Sequence, residues 1–324
     1  MGRFAVRRLA SAILLLFATS VVVFGIFEVI PSYNPARAIA GRNATPTTVA
    51  EVSRKFGFDK PVYVQYANTM ELIFTGQVID YNDNLNVDSQ IAQRFPVTVS
   101  LVVPAALIWL AGAIVLGSIS ALRVGRLADR GLMVAAILGV SIPIFLLAAV
   151  LLYAFAFKLS WFPNTGYIKL SSNPAQWAYH LFLPWISIAV LSIGFYSRVL
   201  RSNLLDMVNE DFVRTARAKG LTRRQVFVRH VLRNSLIPIV TMFGLDFATL
   251  LGGAALVTET VFNLPGVGQY EALAIGNLDV PPILVGAMFT AFFVVLFGAI
   301  SDIVYALLDP RIRLTGEWPA DSWR

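Results

Sequence analysis

Apolar residues gather into six long runs, approximately Leu9–Ile30, Val97–Leu122, Leu132–Phe157, Leu181–Leu200, Ser235–Val257 and Ile283–Leu308. Each is long enough, at roughly 20 residues or more, for a helix to cross a hydrocarbon core of about 30 Å. The runs are continuous, without the alternation of barrel strands, and only helices satisfy their backbone groups within such a segment. The expected fold is therefore all-α, a polytopic membrane protein with about six transmembrane helices. Arg3, Arg7 and Arg8 ahead of the first run resemble a signal peptide's start. That run exceeds a usual signal core, however, and no small-x-small cleavage site closes it before Glu28 and Pro31, so an uncleaved anchor is expected.

Between the runs, the loops fall into two alternating sets with unequal basic charge. The N-terminus, the turn from Arg123 to Gly131, the loop from Arg201 to Asn234 with Arg198 before it, and the C-terminal tail carry 18 of the 26 Lys and Arg residues. Basic residues accumulate on the cytoplasmic side, so both termini are expected there. The organisation follows: residues 1–30 hold the N-terminus and first span; 31–96 are external. Residues 97–310 form a five-helix core with a cytoplasmic loop at 201–234, and 311–324 form a cytoplasmic tail.

Composition agrees with this membrane reading, with 57% of residues hydrophobic and 14% charged against about a quarter charged in soluble domains. The net charge of +7 follows largely from topology, so no nucleic-acid partner is expected. There is no cysteine, which excludes thiolate chemistry and disulfides. His180 and His230 lie fifty residues apart without a carboxylate cluster, so no metal site is expected.

In the external segment, Asp59 and Pro61 signal a helix carrying Tyr63, Tyr66, Met70 and Ile73, with Gly76 as its stop. The Asp80–Asp88 run is rich in oxygen ligands but lacks the calcium loop's sixth-position glycine and twelfth-position glutamate, and reads as a solvated loop. Trp161, Trp177, Tyr179 and Trp185 read as interface anchors. The cytoplasmic stretch Asn209–His230 reads as helix, turn, helix. Asp211 favours the first helix's start, Gly220 suits a left-handed stop, and Thr222 with Gln225 forms a capping box for the second. Phe212, Val213 and Ala216 share one face, and Val226, Phe227 and Val231 another. Two short amphipathic helices could transmit a push from a soluble partner. A basic loop held by anionic lipid is the alternative, and the residues alone leave both open.

That stretch resembles the cytoplasmic EAA loop of ABC-importer permeases, with Arg214-Thr215-Ala216 at the Glu-Ala-Ala position and Gly220 after three intervening residues. Asp211–Leu221 and Arg229–Pro238 are closer still to the dipeptide, oligopeptide and nickel permease family. Gly57–Tyr66, Glu259–Gly268 and Tyr305–Arg313 resemble, in order, that family's external segment, the loop before its last span and its C-terminal signature. Arg214 and Thr215 depart from the general Glu-Ala pattern in the manner of the peptide branch. Pro31–Pro35 and Gly76-Gln77 depart from its usual external P-G-D-P and G-D-x-G stretches.

The resemblance implies a multi-pass permease of a prokaryotic inner membrane, forming half of a translocation pathway for peptides or a related solute. Its implied partners are a second homologous permease, two ATP-binding subunits and an external solute-binding protein. ATP and Mg belong to the ATPase subunits, since no lysine here completes G-x-x-x-x-G-K-[ST]. The coupling loop would use Asp211, Arg214, Arg217 and Lys219 for charged contacts, with Thr215 in the motif, Ala216 allowing close approach and Gly220 setting the turn.

Asp246 is the ionisable residue deepest in a span, where a carboxylate is costly. It is a candidate for lining the solute path, the alternative being a structural hydrogen bond to a neighbouring helix. Asp302, near the inner end of the last span, is expected to pair with a loop arginine. Gly244, Gly252, Gly253 and Gly298 offer surfaces for close helix packing, and Pro104, Pro143 and Pro184 are expected to kink their spans. An ion-driven carrier should show internal repeats, and an intramembrane hydrolase a nucleophile with its base. No clear sign of either is found.

Overall fold

The structure, a computed structural model, describes residues 2–26, 35–41 and 44–308. The expectations for Pro31 to Asn34, the Asp302 side chain and the C-terminal signature lie outside the described residues or side chains. Thirteen helices are seen among the described residues: α1 (Gly2–Phe24), α2 (Pro35–Ala40), α3 (Pro46–Phe56), α4 (Val62–Thr75), α5 (Val87–Leu122), α6 (Leu127–Ser141), α7 (Ile144–Lys158), α8 (Pro174–Met207), α9 (Asp211–Ala218), α10 (Arg223–Ala254), α11 (Leu256–Val261), α12 (Val267–Asn277) and α13 (Val280–Leu308). The one extended pairing described is an isolated bridge, Ile79 to Asn86.

Four helices, α5, α8, α10 and α13, are long and apolar enough to cross a membrane. A fifth crossing exists if α6 and α7 form one span; α1 contributes a shorter apolar helix, Ala10–Phe24. The third apolar run is thus not one straight helix. It bends by 99° between α6 and α7, because Pro143 drives the preceding Ile142 out of the helical region to φ −87° and ψ 124°. Pro184 instead stays inside α8, where the Ser187 hydroxyl donates to the Pro184 carbonyl.

The chain divides into two compact units, one of residues 1–99 and 251–295, the other of 100–250 and 296–324. In the second, helices approach closely through glycine: a Cβ on Gly117 would lie 2.9 Å from the Ser197 carbonyl, and one on Gly194 2.8 Å from that of Ala136. Such small-residue seams let spanning helices pack where lipid supplies no hydrophobic drive. Gly244 seats the Ser301 side chain in the same way. Trp185 is not an interface anchor: it is buried, and its indole N–H donates to the Ser100 carbonyl at 3.0 Å. Trp161, by contrast, is exposed.

In the first unit, α4 starts after Pro61 and ends on Gly76 in the left-handed region, as its sequence foretells. Val78, Val87, Ile91, Val267, Tyr270 and Val285 form a core. The acidic loop after α4 is not simply solvated. Asp80 is buried, and the Tyr81 and Asn82 amides donate to the Asp279 carboxylate. Among the described residues, no three His, Asp or Glu side chains converge as a metal site.

Candidate functional site

On the loop that carries the sequence motif, α9 begins with Asp211 at its first position, behind Glu210 as cap. Its last turn leads through Lys219 to Gly220 at φ 79°. Nothing lies within 4 Å of where a Gly220 Cβ would stand, so glycine is required there for its backbone angle alone. The capping box forms as expected: the Thr222 hydroxyl accepts from the Gln225 amide, and the Thr222 amide donates to the Gln225 side chain.

The second helix of this loop is not short. Arg223–Ala254 is continuous, passing through π-helical turns at Phe227–Leu232, so the helix that follows Gly220 is the base of a spanning helix. Capping signals locate a helix's start, whereas continuity through a basic stretch is decided by packing; Val226 and Val231 are buried there, and α10 packs on both α8 and α9.

The α9 side chains divide, except that Phe212, expected on the apolar face, is exposed. Val213 and Ala216 are buried within the chain, while Asp211, Arg214, Thr215, Arg217, Lys219 and Gly220 are all exposed. Ala216 thus packs within this chain. Arg214 reaches Asp211 at 3.3 Å across a solvent-exposed pair. The helix is thus held from beneath by apolar contacts, with its charged rim turned outward.

A second feature of this region escaped the sequence reading. Asp129 at the start of α6 accepts two hydrogen bonds from the Arg201 guanidinium, at 2.8 and 2.9 Å, one from the Gly125 amide at 2.9 Å and one from the Ser120 hydroxyl. Arg201 stands on α8, ten residues before α9 begins. The pair joins residues 72 apart in sequence, a separation that no local pattern reveals.

Asp246 lies on α10, thirteen residues past Arg233, or about 20 Å along the helix axis. The residue is exposed, and the phenol of buried Tyr196 donates to its Oδ2 at 2.5 Å. Tyr196 is itself packed against Trp109. The hydrogen bond to a neighbouring helix is therefore seen, at a residue that is also exposed.

A further cluster that went unnoticed in the sequence belongs to the first unit. Glu259 is fully buried, accepting from the Thr98 hydroxyl at 2.7 Å and the Gln269 amide at 2.8 Å, while Thr98 accepts from the Val267 amide at 2.9 Å. Its carboxylate fills the space beside Gly266. Burial pushes the Glu259 carboxyl above its usual range, and these hydrogen bonds pull it partly back. Glu271 is wedged between Gly253, at φ 129°, and Gly286, and its Oε1 has no hydrogen-bond partner. Burial, reinforced by the Glu259 charge, pushes Glu271 up to about 8.

Apolar helices long enough to cross a membrane, with a charge-rimmed helix at a loop between two of them, define a polytopic membrane protein. The family model of the binding-protein-dependent transport system inner membrane component matches residues 113–314, and its N-terminal companion matches residues 1–102. The chain is 34% identical to a probable peptide ABC transporter permease protein of Sinorhizobium fredii over 97% of this chain and 100% of that protein. It is 34% identical to a di/tripeptide transport system permease protein of Pseudomonas aeruginosa, covering 96% and 98% of the two chains. A glutathione transport system permease protein of Escherichia coli is 32% identical over 97% and 99%. This chain belongs to the family of inner-membrane components of binding-protein-dependent transport systems, as the motifs implied. It is a transport permease of the inner membrane.

Proposed function

We propose that this chain forms one half of the translocation pathway of an ABC importer for peptides, and that α9 receives the movement of an ATP-binding subunit. The observation that carries the reading is the split character of α9. Val213 and Ala216 anchor it to its own chain, so a push on the outward Arg214, Arg217 and Lys219 moves α8 and α10 instead of deforming a loop. Cargo of the peptide class follows from the relatives' names and the motif wording at 211–221. The remaining parts are a second homologous permease, two ATPase subunits that hold ATP and Mg, and an external solute-binding protein. Both termini lie in the cytoplasm, on the side where basic residues concentrate.

The test is co-purification. The tagged chain, expressed with the products of its neighbouring genes and extracted in mild detergent, should bring down ATPase subunits and a second permease. Gly220→Pro, whose ring holds φ near −65° where 79° is needed, should lose the ATPases and keep the permease partner. Recovery of the chain alone or as a homo-oligomer sinks the importer reading.

A further inference from the structure

The exposed aspartate on α10 has a setting that says what it is for. At about 100° per residue, Gly244, Ala248 and Leu251 fall on one narrow face, and all three are buried. Pro238, Leu245 and Thr249 form a strip within about 40° of one another, roughly 110° around the helix from that face, and all three are exposed. Asp246 lies about 60° beyond Thr249, close in projection to buried Ile239 two turns away, and is itself exposed. A carboxylate this far into an apolar span is too costly to leave against hydrocarbon, so this side of α10 faces water or protein. A carboxylate kept only to bind Tyr196 would be enclosed with it. Instead Tyr196 is buried, Asp246 is exposed, and the phenol occupies Oδ2 alone. Tyr196 is in turn fixed by its contact with Trp109, and Trp109 by Phe243 on α10 itself. The side chain is thereby aimed, with one oxygen satisfied and the other available.

We propose that Asp246, oriented by Tyr196, is a cation-recognition point in the translocation pathway that receives the ammonium group of the passing solute, such as the free amino terminus of a peptide. The assignment rests on the permease reading above and adds to it a ligand chemistry and a place. Tyr196 acts as the positioning residue: its hydrogen bond holds the carboxylate toward the exposed strip, and its ring takes no part in contact with the cargo. Ammonium groups suit such a site, because a carboxylate with a free oxygen accepts a charge-assisted hydrogen bond from them.

The chain has no cysteine, so a single one can be introduced and read cleanly. Thr249→Cys, one turn from Asp246 on the exposed strip, is made in the assembled complex in native membranes. Its labelling by a cationic and by an anionic methanethiosulfonate is followed by mass spectrometry of this chain. The expected result is a cationic preference of about tenfold that falls to near unity in Thr249→Cys/Asp246→Asn and persists with Asp246→Glu. Tyr196→Phe should lower the preference while leaving the cysteine reactive. No labelling by either reagent, or a preference unchanged by Asp246→Asn, overturns the proposal.

ATP-driven uptake of a tripeptide with a free amino terminus is measured alongside in the complex that carries this chain without the introduced cysteine. Uptake should drop about tenfold in Asp246→Asn and recover in Asp246→Glu. Absence of uptake together with a charge-dependent labelling ratio removes the peptide-importer reading and keeps the cation site. Normal uptake in Asp246→Asn removes the cation site and keeps the importer.

Discussion

Helix α9 and the Glu259 cluster use charge in opposite ways. In α9 Val213 and Ala216 are buried, Phe212 is exposed, and every charged side chain is exposed, with Arg214 and Asp211 paired only loosely at 3.3 Å. Around Glu259 the charge itself is buried and answered by donors within its own unit: the Thr98 hydroxyl and the Gln269 amide. The first arrangement leaves its charge free to meet another protein; the second consumes its charge in holding separate chain segments together. Exposed ion pairs contribute little to stability, whereas a buried acceptor that is removed leaves its donors unsatisfied.

The comparison breaks most readily at Glu259. Glu259→Ala should cost about 3 kcal/mol or more, because the Thr98 hydroxyl and the Gln269 amide lose their acceptor in a dry site and a cavity opens. The loss should show as a lower thermal transition in detergent and weaker accumulation. A change below about 1 kcal/mol would mean the cluster is not structural.

Glu271 sharpens the contrast through pH. Its folded-state pKa, about 8, lies above the ordinary 4.5, so between these values the folded chain holds a proton that the unfolded chain has released. Stability is therefore full below about 4.5 and is lost as pH rises toward 8. Glu271→Gln, which keeps the shape and removes the charge, should flatten that slope and be more stable than wild type at pH 8.5. Melting curves of both proteins across pH 5 to 9 would decide, and parallel curves would refute the assignment. The smallest stability effect belongs to α9. Arg214→Ala/Arg217→Ala should leave the melting temperature unchanged within error while weakening recovery of ATPase subunits by about tenfold. A large fall in melting temperature would show that these arginines serve the fold.

Much of the local structure was legible. The stop at Gly76, the left-handed Gly220 and the capping box at Thr222 all arise from interactions within a few residues, which a linear pattern displays directly. Apolar runs long enough to span a membrane are similarly self-declaring, because lipid as solvent demands that backbone groups be satisfied within the segment. The break at Pro143 was announced by its proline, though its size, 99°, was not.

Other features were decided only when distant segments met. Trp185, whose aromatic character suggested an interface, is drawn inside by the Ser100 carbonyl, 85 residues away. Asp80 is buried although its neighbours are as polar as any solvated loop, because residues near 279 accept that loop's amides. The Arg201–Asp129 pair, the Glu259 cluster and the confinement of Glu271 between Gly253 and Gly286 likewise join residues far apart in sequence. By itself the sequence determined the helical class, the family and the position of helix α9, since those rest on composition, period and short motifs. Which carboxylates are buried, paired or left exposed was a tertiary decision, because the energy of a charge depends on the solvent and donors around it.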